Sequence, residues 1–126
     1  KNLLKWNIKK PLPVQMQILP LMLAGYNVQC CAPTGSGKTL AFLLPIIILL
    51  TKSLDDVNSF LNDDDDIDSS DIKCIVVTPN LLLSKQIYNE FKKYTENVER
   101  NMEILLLTDD NIESDIVRKK HIIISE

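Results

Sequence analysis

The segment Ala32–Thr39 reads Ala-Pro-Thr-Gly-Ser-Gly-Lys-Thr, and its residue types are suited to binding a chain of phosphates. Gly35 and Gly37 permit the backbone angles that turn successive N–H groups inward around an anion. Lys38 can reach the β- and γ-phosphates of a nucleoside triphosphate, and the hydroxyl of Thr39 can bind Mg²⁺. The pattern therefore predicts a P-loop (Walker A motif) that binds a nucleotide such as ATP together with Mg²⁺.

Every position of this loop is a candidate nucleotide-binding residue, and the last two are also candidate catalytic residues, with Thr39 as the metal ligand. The set is Ala32, Pro33, Thr34, Gly35, Ser36, Gly37, Lys38 and Thr39. Ala stands first where the general pattern has Gly, but a small residue still allows tight packing. The competing interpretation is an accidental Gly/Ser-rich turn, and the ordered match at eight positions argues against it.

Gln15 lies seventeen residues before Ala32, at the end of the string Ile-Lys-Lys-Pro-Leu-Pro-Val-Gln. Two prolines restrict the chain just before it, so Gln15 is expected in a stiff turn. Its amide has both a donor and an acceptor and can pair with the N6 and N7 edge of adenine, which would favour ATP over GTP. The alternative is a solvent-facing glutamine at a helix N-terminus.

Hydrophobic periodicity predicts the elements that must position these groups. The expected order is a helix within Pro11–Gly25, a strand over Asn27–Ala32, an apolar helix from Lys38 to about Lys52 bent at Pro45, a strand over Lys73–Thr78, a helix over Leu81–Glu96 capped by Asn80, a strand over Glu103–Thr108, a helix over Ile112–Arg118 and a strand over His121–Ser125. Strands alternating with helices predict an α/β fold with a parallel sheet. The strand over Lys73–Thr78 is expected to be buried on both faces, and Cys30, Cys31 and Cys74 to be free buried thiols.

An acidic stretch separates the two halves of the chain. Residues 53–72 contain eight Asp and neither Lys nor Arg, so like-charge repulsion predicts a disordered surface loop. A Mg²⁺ or Ca²⁺ site is the alternative, but the stretch lacks the Gly and terminal Glu of an EF-hand loop. The whole chain has a net charge of −3, whereas the remainder has 14 basic and 9 acidic residues, a net charge of +5.

The string around Gln15 and the loop Ala32–Thr39 together resemble the Q motif and motif I of DEAD-box RNA helicases. In that family a G-[aromatic or aliphatic]-x-x-P-T-P-I-Q string precedes A-x-T-G-S-G-K-T by about this distance. The runs Gln15–Gly25 and Leu40–Ile46 also look typical of the family. The resemblance covers nearly the whole chain, with the acidic stretch as an insertion.

The resemblance implies that residues 1–126 are part of an N-terminal RecA-like P-loop NTPase domain, in which helices flank a parallel sheet and ATP and Mg²⁺ bind. In that domain Gln15 would read adenine, Ile8 would pack near the base, and Lys10 would belong to the same nucleotide-binding set. Lys38 and Thr39 would serve the phosphates and Mg²⁺. The implied activity is ATP hydrolysis coupled to binding RNA and unwinding short duplexes, with RNA and a second RecA-like domain of the parent chain as partners.

The expected location is intracellular, in the nucleus, nucleolus or cytoplasm, and the fine pattern resembles helicases that act in ribosome assembly. No membrane segment is expected, because the longest apolar run, Leu40–Leu50, has 11 residues and a spanning helix needs about 20. The D-E-A-D box is expected beyond Glu126, so the 126-residue chain by itself is expected to bind ATP weakly and hydrolyse almost none.

Three departures from the family pattern bear on function. Asn7 and Leu12 replace the usual Gly and Thr, and in Pro79–Gln86 the leucines Leu81 and Leu82 replace the Arg and Glu of motif Ia. An RNA phosphate is then expected to bind backbone N–H groups at the helix start, which need no particular side chain. Two other functions stay open: another P-loop enzyme, such as a nucleotide kinase or transport ATPase, and a nucleotide-binding scaffold without unwinding activity.

Overall fold

The structure is a computed structural model, and it describes residues 2–60, 73–96, 102–108 and 120–126. The chain forms two compact units, an N-terminal unit, Lys1–Leu54, and a C-terminal unit, Asp55–Glu126. Its elements, in chain order, are α1 (Asn2–Lys5), α2 (Pro13–Leu23), α3 (Lys38–Phe60), β1 (Cys74–Val77), α4 (Leu81–Thr95), β2 (Ile104–Leu106) and β3 (Ile122–Ser125). Among these helices, none is long and apolar enough to cross a membrane.

Helix α2 confirms the helix predicted within Pro11–Gly25. Pro13 occupies its first position, where the missing N–H costs nothing and the fixed φ favours a helix. Gly25 follows the helix end with a φ of 81° and donates its N–H to the carbonyl of Met22 at 3.0 Å. Glycine suits this site because other residues rarely adopt a positive φ. The short helix α1 was not predicted.

Helix α3 is longer than predicted, because it ends at Phe60 and not near Lys52. The sequence beyond Lys52 keeps apolar residues at helical spacing, in Leu54, Val57 and Phe60, among the first acidic residues. The prediction of a disordered loop over 53–72 is therefore wrong for 53–60, and residues 61–72 lie outside the described part. The helix continues through Pro45, whose side chain is fully buried.

The strand predicted over Asn27–Ala32 does not form, and these residues have irregular structure. A strand needs a hydrogen-bonded neighbour, and residues 27–32 are not part of the three-stranded sheet of the described chain. Cys30 and Cys31 in this segment are free thiols as predicted, but both are exposed and not buried. Cys74 is half-buried, and burial raises the pKa of its thiol.

The C-terminal unit contains the predicted parallel sheet. Its strand order is β1-β3-β2, so the strand predicted over His121–Ser125 is the central one. Ile122, Ile123 and Ile124 are buried there, and α4 packs against β2 and β3. The structure confirms the three predicted strands with ends shifted by one or two residues. The predicted helix Ile112–Arg118 lies outside the described residues.

Strand β1 is not buried on both faces, which corrects the prediction for Lys73–Thr78. Side chains along it alternate between half-buried and exposed, and Ile75 and Val77 are 63% and 75% exposed. Strand β1 is an edge strand of the sheet, and α4 packs mainly against the other two strands. The β-branched composition identifies a strand, but it does not show what covers each face.

Polar contacts join the amino ends of β2 and β3. Lys120 Nζ donates to Glu103 Oε2 at 2.8 Å, and this contact holds the pKa of the Glu103 carboxyl below its usual value. His121 Nδ1 accepts a hydrogen bond from the Glu103 N–H at 3.1 Å. His121 therefore has a structural role at the start of the sheet.

Asn80 caps α4 as predicted, because its Oδ1 accepts a hydrogen bond from the Leu83 N–H at 2.9 Å. Replacing such a cap by Ala costs about 1 kcal/mol. We expect Asn80→Ala to lower the free energy of unfolding by that amount in urea denaturation followed by circular dichroism. The control is Asn89→Ala, because Asn89 is exposed in the middle of the same helix. Equal stability of the two variants would contradict the capping role.

Candidate nucleotide-binding site

The phosphate loop lies directly before α3, in the N-terminal unit. Ser36 donates its N–H to the Pro33 carbonyl at 3.3 Å, which closes a tight turn. Gly35 and Gly37 have φ values of 77° and 89°, the left-handed conformation that the sequence predicts for them. The Gly37 carbonyl then accepts the Ala41 N–H at 3.1 Å and starts the helix. The loop therefore lies at a helix N-terminus, where anions are stabilised.

Lys38, the first residue of α3, folds back over this loop. Its Nζ donates to the Ala32 carbonyl and, at 2.6 Å, to the Pro33 carbonyl. The ammonium group is thus held within the turn where phosphate oxygens are expected. Thr39 follows as a half-buried residue in the first turn of the helix. The catalytic roles of Lys38 and Thr39 stay predictions.

Gln15 is buried, with 5% of its surface exposed, so the interpretation as a solvent-facing glutamine is wrong. Its Oε1 accepts the Leu12 N–H at 2.9 Å, and its Nε2 donates to the Gly37 carbonyl at 3.2 Å. These two partners fix the orientation of the amide, because one is a donor and the other an acceptor. One N–H and one lone pair of the amide remain for a ligand. Gln15 therefore connects the start of α2 to the phosphate loop.

Gly37 has little space around its α-carbon. A Cβ added there would lie 2.6 Å from Gln15 Nε2 and 2.7 Å from Leu12 Cδ1. By contrast, a Cβ on Gly25 or Gly35 would meet nothing within 4 Å. A side chain at position 37 would therefore displace the ends of the Gln15 and Leu12 side chains, in addition to straining the backbone at a positive φ, and Leu12 packs directly against the loop.

A pocket of about 310 Å³ lies beside Gln15 in the N-terminal unit. Three candidate nucleotide-binding residues, Ile8, Lys10 and Gln15, line it together. The other lining residues are mostly apolar: Leu3, Lys9, Pro11, Met16, Leu19, Pro20 and Leu44. An apolar pocket with a few polar groups suits a flat heterocyclic base. Gln15 lines this pocket and contacts Gly37, so it links a base-sized pocket to the phosphate loop.

The charge of the N-terminal unit also suits an anionic ligand. Residues 1–54 contain six lysines and no Arg, Asp or Glu. Lys9 and Lys10 line the pocket and Lys38 lies at the loop. A uniformly positive surface attracts phosphates and raises their local concentration.

Comparison with known proteins shows to which family the chain belongs. The family model for DEAD/DEAH box helicases matches residues 12–126. The chain belongs to the DEAD/DEAH box helicase family. It is 44% identical over 94 residues to "ATP-dependent RNA helicase glh-1" of Caenorhabditis elegans, and 33% identical over 120 residues to "DEAD-box ATP-dependent RNA helicase 57" of Oryza sativa subsp. japonica.

These alignments cover 75% and 95% of the chain but only 12% and 19% of the two relatives. The chain thus spans less than a fifth of the length of these helicases. A hypothetical ATP-dependent RNA helicase from Sulfolobus tokodaii has a similar fold, with a TM-score of 0.73 and 24% identity. That match covers 98% of this chain and 31% of the solved one, and it confirms the RecA-like α/β fold.

Two departures from the helicase pattern have structural explanations. Asn7 replaces the usual Gly of the Q motif and adopts a φ of 58°, a left-handed conformation that Asn tolerates better than most residues. Leu12 replaces the usual Thr and has no side-chain acceptor for the N-terminus of α2. Gln15 supplies the reciprocal half of a capping box by accepting the Leu12 N–H. Both residues are therefore compatible with the backbone conformation found at their positions.

The segment that aligns with motif Ia begins α4 in the C-terminal unit. Thr78 Oγ1 donates to the Asn80 carbonyl at 2.9 Å and lies 2.7 Å from Ser84 Oγ, so hydroxyl groups brace the turn before the helix. Leu82 is 80% exposed, at a position where the helicases usually have a charged residue. The turn is well ordered by these bonds, but its exposed side chain is apolar.

Sequence reasoning missed the contact made by Leu12, which it treated only as a departure from the family pattern. Only its N–H contact had a signal, because a glutamine at the third position of a helix can accept the N–H of the residue before the helix. In the residues that the structure describes, no group of three or more His, Cys, Asp or Glu is placed to hold a metal ion. Most of the acidic stretch, residues 61–72, lies outside them.

Proposed function

We propose that the protein is an ATP-dependent RNA helicase and that this chain supplies its adenine- and phosphate-binding half. The main support is the double contact of Gln15, which lines the base-sized pocket and hydrogen-bonds to Gly37 of the phosphate loop. A ligand with a flat base and a chain of phosphates matches both parts. Family membership and the lysine-rich N-terminal unit support the same function.

The proposed mechanism assigns a role to each part of the site. The loop N–H groups and the N-terminus of α3 would hold the phosphates, and Lys38 would exchange its two carbonyl partners for phosphate oxygens. Thr39 would contribute its hydroxyl to Mg²⁺, which neutralises phosphate charge when bound. Ile8 and Lys10 would flank the base, and the free N–H and lone pair of Gln15 would pair with adenine.

This function predicts that Gln15→Ala reduces the preference of the protein for ATP over GTP. A bidentate amide contact to adenine discriminates by about 1–3 kcal/mol, so the ratio of the two dissociation constants should fall about fivefold or more. The ratio of the two dissociation constants is compared because loss of the Gln15–Gly37 hydrogen bond would weaken the binding of both nucleotides. Calorimetry on the full-length protein with ATP–Mg²⁺ and GTP–Mg²⁺ measures it.

The matched control is Gln17→Ala, which removes the same side chain from an exposed position two residues further along α2. This variant should keep the wild-type ratio. An unchanged ratio in Gln15→Ala would favour another P-loop enzyme, such as a nucleotide kinase or transport ATPase. That result would contradict base reading by Gln15.

RNA is the proposed substrate. Backbone N–H groups at the start of α4 would contact an RNA phosphate. A second RecA-like domain of the parent chain would close over the RNA strand. A second candidate is a nucleotide-binding scaffold without unwinding activity, which the exposed Leu82 favours. Unwinding of a short RNA duplex by the full-length protein, with and without ATP, separates the two. ATP binding without unwinding would favour the scaffold.

The proposed location is the nucleus, nucleolus or cytoplasm, where an RNA helicase meets its substrates. A role in ribosome assembly stays a prediction from the sequence pattern. Fractionation of cells that contain the full-length protein, followed by analysis of bound RNA, tests both proposals. Recovery of precursor ribosomal RNA would support the assembly role.

A further inference from the structure

The hydroxyl of Ser36 is buried in the phosphate loop without a hydrogen-bond partner, the only such side-chain atom among the described residues. Leaving a buried hydroxyl unpaired destabilises a protein, and nearly all buried polar groups in folded proteins are paired. An exception within a binding loop indicates a group whose partner becomes available in another state. The partner must be an acceptor near Ser36 that can exchange one hydrogen-bond donor for another.

The Pro33 carbonyl is the acceptor that can change. It accepts the Ser36 N–H at 3.3 Å and the Lys38 ammonium at 2.6 Å, so both of its lone pairs are in use. Serine hydroxyls commonly bond to carbonyls three or four residues earlier in the chain, and Pro33 is three residues before Ser36. With two donors already on it, the Pro33 carbonyl does not serve as a partner of the Ser36 hydroxyl.

We infer that Ser36 is a positioning residue that replaces Lys38 on the Pro33 carbonyl when a nucleotide binds. The inference rests on the proposed function, because a phosphate must draw the ammonium away from the carbonyl. The Ser36 hydroxyl then donates to the vacated lone pair. The exchange satisfies both groups and keeps the turn closed while Lys38 contacts the phosphates.

The exchange gives Ser36→Ala effects of opposite sign on stability and binding. Without nucleotide, the variant removes an unpaired buried hydroxyl, so the midpoint of thermal unfolding should rise by about 2 °C. With nucleotide, the Pro33 carbonyl loses its replacement partner, so the affinity for ATP–Mg²⁺ should fall about tenfold, which corresponds to about 1.4 kcal/mol. A serine that only stabilised the fold would lower the midpoint and leave the intrinsic affinity unchanged.

The experiment compares the full-length wild-type protein with Ser36→Ala by scanning calorimetry without nucleotide and by titration with ATP–Mg²⁺. The matched control is Ser84→Ala, because the Ser84 hydroxyl is buried but lies 2.7 Å from Thr78 Oγ1. This control should lower the unfolding midpoint and leave the ATP affinity unchanged.

A lower midpoint for Ser36→Ala, or a failure of this variant to fold, would show that the hydroxyl is paired in the free protein and would overturn the inference. Unchanged ATP–Mg²⁺ affinity in Ser36→Ala, with normal binding by the wild type, would overturn it and leave the proposed function intact. If the wild-type protein did not bind ATP–Mg²⁺, both the proposed function and this inference would be wrong.

Discussion

Replacing Lys38 by Ala is expected to reduce ATP hydrolysis by the full-length protein about 10³-fold, the scale on which preorganised charge stabilises a transition state. In the free protein its ammonium lies on the Ala32 and Pro33 carbonyls, within the turn of the phosphate loop. To contact a phosphate, the Lys38 ammonium therefore needs only to exchange these carbonyl oxygens for phosphate oxygens. Lys38 is the only basic residue of the segment Ala32–Thr39, so Ala removes the cationic side chain that the loop itself can offer to the phosphates.

The control for this prediction is Lys52→Ala, which removes an exposed lysine from the same helix. Steady-state turnover measured with RNA and ATP–Mg²⁺ should stay near the wild-type value in this variant. Circular dichroism of both variants checks that the fold is retained. Turnover by Lys38→Ala within a few-fold of the wild type would contradict the phosphate site at this loop.

Features that depend on local sequence were predictable. The positive φ of Gly35 and Gly37, the N-cap of α4 by Asn80 and the helix start at Lys38 all follow from residue types within a few positions. Glycine and asparagine determine such conformations through their own sterics and hydrogen bonding. The segment Ala32–Thr39 therefore predicted the conformation of its own turn and helix start without information about tertiary contacts.

Features that depend on distant partners were not predictable in the same way. The Gln15–Gly37 hydrogen bond joins residues 22 apart, and the packing of Leu12 against Gly37 spans a similar separation. The predictions of a strand at 27–32 and of burial on both faces of β1 were wrong for the same reason. Strand pairing and side-chain burial depend on the neighbouring elements, which the local sequence does not specify. The predicted end of α3, near Lys52, was wrong because the prediction gave more weight to the eight Asp in residues 53–72 than to the helical spacing of apolar residues that continues to Phe60.

Replacing Gly37 by Ala is expected to weaken ATP–Mg²⁺ binding at least 100-fold and to lower the midpoint of thermal unfolding. Two costs combine at this position. A non-glycine residue at a φ of 89° is strained, typically by 1–3 kcal/mol. The new methyl group would also lie 2.6 Å from Gln15 Nε2, so the Gln15 amide must shift away from the position in which it donates to the Gly37 carbonyl.

Gly25→Ala separates these two costs. Gly25 has a similar φ of 81°, but an added Cβ there meets nothing within 4 Å and lies outside the phosphate loop. This variant should lose stability through backbone strain alone. Its ATP–Mg²⁺ affinity should stay within about threefold of the wild-type value, well below the tenfold change that 1.4 kcal/mol of binding free energy would produce. Equal loss of affinity in both variants would mean that general destabilisation controls binding. A selective loss in Gly37→Ala would instead assign the effect to the junction of Gln15, Leu12 and the loop, because of the two added methyl groups only the one at position 37 collides with side chains packed against the loop.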